Sequence, residues 1–152
     1  MPKKQKVEED VPENQFLAFV INNETYAIEI QNVVEVVRTR PITKIPESLH
    51  FLKGVVGLRG KVFPVMDLRL RFNLDEKVYD ANSCIIIVKV QNVEMGLLVD
   101  SILDVLEIPV KKIEATSDAD QAGVNMFLKG IDKTSSRVIS LIDLEKLVVF
   151  TL

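Results

Sequence analysis

The sequence predicts an all-β protein: two small five-stranded β-barrels arising from an internal duplication and packed together, with only short helices. Three observations lead there. Apolar, β-branched runs at 16–21 and 84–90 have strand length and are followed at matching positions by the turn pairs Asn22-Asn23 and Gln91-Asn92. Phe51-Leu52-Lys53-Gly54 recurs as Phe127-Leu128-Lys129-Gly130, an offset of 76 residues. A chain of 152 residues that is 47% hydrophobic has enough apolar side chain for a core, whereas half of it alone does not.

The duplication supplies the order of elements. Val62-Phe63-Pro64-Val65-Met66-Asp67-Leu68 falls without a gap on Val138-Ile139-Ser140-Leu141-Ile142-Asp143-Leu144, giving seven identities over residues 51–68. An offset of 69 aligns the earlier parts, where Ile28, Ile30, Val33, Val36 and Val37 meet Leu97, Val99, Ile102, Val105 and Leu106. The two offsets differ by seven, which places a longer connection somewhere in 108–126. The expected division is a tail at 1–14, a first barrel lobe at about 15–80 and a second at about 81–152, with a groove between the lobes.

Residues 1–14 carry three lysines, four acids and two prolines with hardly any apolar side chain, a composition expected of a disordered tail and unlike a signal or transit peptide. In each copy a first hairpin leads to a half-buried strand, Ile28-Glu29-Ile30 alternating as such strands do. A second hairpin, 54–58 with 62–66, turns at Arg59-Gly60, and 131 with 138–142 repeats it. Pro64 has no N–H to give a ladder, so its strand is expected at an edge or a bulge. Asp67 and Asp143 end these hairpins and are placed to cap the short helical runs that follow.

The residues that carry chemistry are sparse. Cys84 sits in an apolar run as a small hydrophobe and, being the one cysteine, excludes an intrachain disulfide. His50 has no second histidine or cysteine with which to hold a metal and reads as a surface or packing residue. Asp67 and Asp143 occupy equivalent repeat positions, which suits capping better than an acid and base with different environments. Asp100 and Asp104 are expected to face solvent. The glycines of 54–60 lack the Gly-x-Gly-x-x-Gly order of a phosphate-binding turn. No enzymatic activity and no cofactor are expected, and no apolar run reaches the roughly 20 residues of a membrane-spanning helix.

Charge is uneven. Residues 38–71 hold eight basic side chains against Glu47 and Asp67, a net +6, which leaves −9 elsewhere. Nucleic-acid binding by a small barrel is therefore a rival reading, weakened by the absence of Trp and by Phe51, Phe63 and Phe72 reading as core. A barrel protein binding a small ligand in a dry pocket between the lobes is another. The sharpest difference between the copies is Gly57-Leu58-Arg59-Gly60 against Lys133-Thr134-Ser135-Ser136, which singles out Arg59, in a glycine-framed turn, as an interface anchor.

These blocks carry a resemblance. Phe16-Leu17-Ala18-Phe19, Tyr26-Ala27-Ile28-Glu29-Ile30, Ile42-Thr43-Lys44-Ile45-Pro46, the 54–60 turn, Val62-Phe63-Pro64-Val65-Met66-Asp67-Leu68-Arg69 and Gly96-Leu97-Leu98-Val99-Asp100 closely resemble the CheW family of chemotaxis coupling proteins. The resemblance implies SH3-like barrels and a cytoplasmic, non-catalytic adaptor for a CheA-type histidine kinase, through its regulatory domain, and for the cytoplasmic tip of methyl-accepting chemoreceptors. It implies neither nucleic-acid binding nor direct insertion into the membrane. A coupling protein of a related non-flagellar pathway, such as twitching motility, fits the same residues. Carried over position by position, receptor contacts fall on Ile30, Val33, Glu35, Val36, Arg59 and Gly60, and the kinase-facing surface on Ile42, Ile45, Lys53 and Gly54. The chain departs from the family pattern at Gly57, where Asn is usual.

Overall fold

The computed structural model describes residues 14–46, 48–116, 123–134 and 136–150. Apart from Asn14, the segment expected to be a disordered tail lies outside the described residues. Eleven strands are described: β1 (Gln15–Ile21), β2 (Glu24–Glu29), β3 (Val33–Arg38), β4 (Leu52–Leu58), β5 (Lys61–Asp67), β6 (Cys84–Val90), β7 (Val93–Val99), β8 (Ser101–Glu107), β9 (Glu114–Ala115), β10 (Leu128–Asp132) and β11 (Ile139–Ile142). Two short helices, α1 (Leu68–Arg71) and α2 (Leu144–Val148), follow β5 and β11. The all-β expectation holds.

One sheet runs β8-β1-β2-β11-β10-β9 and is called the first barrel; the other runs β3-β6-β7-β5-β4 and is the second. Each sheet closes through a single stretch of chain. Beyond β3, Thr43 exchanges backbone hydrogen bonds of 2.9 and 2.8 Å with Val55 of β4. Beyond β8, the chain returns as β9 against β10, with Ala115 opposite Gly130.

The duplication is visible strand by strand, but the lobes are not the halves of the chain. The expected boundaries, about 15–80 and 81–152, are corrected by the pairing. β5 runs parallel to β7, with Val65 opposite Gly96, and β11 runs parallel to β2, with Leu141 opposite Ala27, which is the same register in the other copy. Each barrel therefore takes its first hairpin from one copy and its remaining strands from the other. The physical gain is that strand edges left bare by a single copy find hydrogen-bonding partners in its twin.

The largest hydrophobic cluster joins the two barrels, with Leu17, Phe19, Ile28, Met66, Ile86, Leu97, Ile142 and Leu147 among its buried members. Smaller clusters fill the barrel interiors: Val56, Phe63, Val65, Ile85, Ile87 and Leu98 in the second, and Phe16, Ala18, Ala27, Ile139 and Leu141 in the first. Phe51, Phe63 and Phe72 are all buried, as expected of core aromatics.

Local chemistry follows the sequence closely. Asn22, Asn23 and Gln91 take positive φ in the hairpin turns. Asp67 accepts from the amides of Arg69 and Leu70, and Asp143 from those of Glu145 and Lys146, so both act as caps. Pro64 is exposed and lies just before the stretch of β5 that pairs with β7, consistent with a local edge. The helix ends differ. α1 closes on its own backbone, Leu74 N donating to Arg69 O and Asn73 N to Leu70 O, with Asn73 at φ 62°. α2 is closed by the other copy: the Arg71 guanidinium donates to Leu147 O and Val149 O while stacking on Phe51 and Phe127, 4.5 and 4.6 Å from their centroids.

Asp100 does not face solvent. It is 6% exposed, accepts from the Asn22 amide at 2.9 Å and receives Arg69 through Nε and Nη2 at 3.0 and 2.9 Å. A carboxylate buried there needs this paired, hydrogen-bonded setting. Asp104 is exposed, as expected.

Candidate protein-interaction surface

β4 and β5 meet at Leu58 opposite Lys61, leaving two residues in the turn. Arg59 has φ 52° and Gly60 φ 79°, the pair of left-handed conformations that a two-residue hairpin turn uses to match strand twist. The Arg59 side chain is 79% exposed and its Nη1 lies 2.7 Å from Glu35 Oε1 on β3. Two residues named for the same expected role, 24 positions apart, are thus brought together. The pair leaves most of the guanidinium's donors free for a partner.

The remaining positions expected to face a receptor separate. Ile30, in the 3-10 turn Ile30–Asn32, and Val33 are half-buried and pack against the core between the barrels. Val36 is exposed, and so is Val34, which sequence reasoning missed. The signal was present in the alternation of β3, since a strand that turns Val33 and Val37 inward turns Val34 and Val36 out.

The expected kinase-facing set also divides. Ile45 is exposed at 44%, while Ile42 packs against the interior of the second barrel. Lys53 is partly exposed, hydrogen-bonds Glu76 and stands 4.0 Å from the buried Asp67 carboxylate. The Lys53 hydrogen bond and charge hold the Glu76 carboxyl below its ordinary value. Gly54 is buried at φ 147°, and a Cβ there would lie 2.0 Å from Thr43 O. Its place is in barrel closure, so it offers a partner no side chain. Gly57, by contrast, is exposed and a Cβ would meet only Lys61 O at 3.9 Å.

Between the barrels lies a polar groove of about 300 Å³, with the Lys129–Glu29 pair at 2.7 Å on its first-barrel wall and Gln91 Nε2 donating to Glu145 Oε2 at 3.3 Å. The groove expected between the lobes is thus lined mainly by polar groups and is not apolar. Cys84 is half-buried at the edge of the core, and burial pushes its thiol up, away from the reactive thiolate. His50 is exposed, with its ring edge-on to Phe51. Among the described residues no group of three or more His, Cys, Asp or Glu side chains is placed to hold a metal ion, and no helix is long and apolar enough to cross a membrane.

Comparison with known proteins supports the fold. The family model described as the CheW-like domain matches residues 15–150. The chain belongs to the CheW-like domain family. Within that family it is 34% identical over 138 residues to the chemotaxis protein CheW of Thermotoga maritima, covering 90% of this chain and 88% of that one. It is 26% identical over 137 residues to protein FrzA of Myxococcus xanthus, covering 90% and 86%. The crystal structure of the scaffolding protein TtCheW from Thermoanaerobacter tengcongensis superposes with a TM-score of 0.83 at 35% identity, covering 91% of this chain and 94% of that one. The chain is a chemotaxis coupling protein of the CheW type, with a scaffold's fold of two SH3-like barrels.

Proposed function

We propose that this protein is a non-catalytic adaptor that couples chemoreceptors to a CheA-type histidine kinase, acting in the cytoplasm at receptor arrays. The observation that carries the reading is the Arg59–Glu35 pair at an exposed two-residue turn, whose Arg59-Gly60 the other copy replaces with Ser135-Ser136. Arginine at such a position supplies a planar set of donors with little further loss of freedom on binding. Receptor contact is assigned to Arg59, Glu35 and the outward valines of β3, and kinase contact to the neighbourhood of Ile45 and Lys53. Two modest interfaces suffice, because each bound partner raises the effective concentration of the next.

The test is Arg59→Glu. With 79% of the side chain exposed, the substitution costs less than about 1 kcal/mol of stability. It places a carboxylate against Glu35, and capture of receptor-tip fragments is expected to fall to background. Wild-type capture by a folded Arg59→Glu protein would remove Arg59 from the role.

A further inference from the structure

The two barrels are filled differently at equivalent places. In the second barrel, Ile87 and Phe63 pack the space between β3 and the start of β5, and both are buried. The duplication puts Ala18 at the place of Ile87 and Ile139 at that of Phe63. The first barrel, so depleted, has a cavity of about 360 Å³ between β8 and the start of β11, with Ala18, Leu106 and Ile139 on its apolar side. The equivalent place in the second barrel carries the Arg59–Glu35 pair.

The polar side of the cavity carries Asp104, Ser136 and Arg137. Asp104 Oδ1 accepts from the Val105 amide at 2.7 Å, leaving Oδ2 to another donor. Arg137 already has a neighbour, and its five donors allow a second acceptor. A carboxylate and a guanidinium on one rim, above an apolar floor, match a small molecule with an ammonium, a carboxylate and an apolar side chain. Sites of this size, mostly apolar with a few convergent polar groups, are the usual form of small-ligand pockets.

We propose that the first barrel binds a free apolar α-amino acid, its side chain against Ala18, Leu106 and Ile139, its ammonium on Asp104 and its carboxylate on Arg137. The adaptor would then carry a small-molecule input of its own, separate from the Arg59 surface.

The test is an amide NMR titration of the full chain with L-leucine, L-methionine and L-phenylalanine, alongside leucinamide and 4-methylpentanoate, which each lack one charged end. Saturable shifts along β8 and the start of β11 are expected with at least one amino acid. Affinity should fall at least tenfold for the two truncated ligands and for Arg137→Gln. Ala18→Ile restores the residue that fills the second barrel and should abolish binding. If Ala18→Ile does not fold, Ile139→Phe, which restores the residue at the place of Phe63, decides in its stead. Absence of saturable shifts with all three amino acids, equal binding of 4-methylpentanoate, or unchanged binding in the filled variant would each overturn the proposal.

Discussion

At the scale of single residues, the most buried ion pair among the described residues is hard to see in the sequence. Arg69 and Asp100 are 31 positions apart, and each sits in a local context that suggests a surface residue. Their side chains are 13% and 7% exposed, so removing one charge strands the other in the interior. Asp100→Asn is expected to cost roughly 3 kcal/mol in chemical denaturation. Burial raises the Asp100 carboxyl, but the Arg69 hydrogen bond, the Asn22 amide and the Arg69 charge outweigh it, and the net value lies below the ordinary 3.8. A depressed carboxyl stabilises the fold above its unfolded value and loses that contribution as pH falls through the folded one. Wild-type stability should therefore decline steeply as pH drops below 3.8, and Asp100→Asn should flatten that decline. An equal acid slope in both proteins would mean that the pair does not control acid stability.

At the scale of elements, strands, turns and caps were legible because their signals are local. Alternation, Asn-Asn and Gln-Asn turns and the Asp caps all act within a few residues. The two glycines of the β4 strand differ in what surrounds them. Gly54→Ala drives a Cβ into the Thr43 carbonyl and should open the bridge that closes the second barrel, at a cost of at least ~2 kcal/mol. Gly57→Asn, which restores the residue usual in the family, meets open space and should change stability by less than about 0.5 kcal/mol. Thermal unfolding of the two variants checks both, and any effect of Gly57→Asn should appear in partner binding alone. A strongly destabilised Gly57→Asn would place that residue in the fold and not at the surface.

For the whole molecule, the sequence revealed two copies but not how they join. The offsets establish which strands are equivalent; both contiguous and exchanged pairings bury the same residues on the same faces, so no hydrophobic pattern distinguishes them. The exchange has a consequence that contiguous lobes would not share. The connection between the copies, residues 73–83, runs largely over the surface, with Val78 91% exposed. A chain cut there yields halves that each lack strands of both barrels. Neither half should show protected amides alone, and an equimolar mixture should regain the far-ultraviolet spectrum of the intact protein. Two independently folded halves would contradict the interleaved topology.

Coupling is tested directly by sedimentation velocity of the protein mixed with a CheA-type kinase regulatory domain and a receptor-tip fragment. One boundary containing all three components is expected, with loss of the receptor alone for Arg59→Glu. If the protein sediments with either partner but never with both, it is not the link between them.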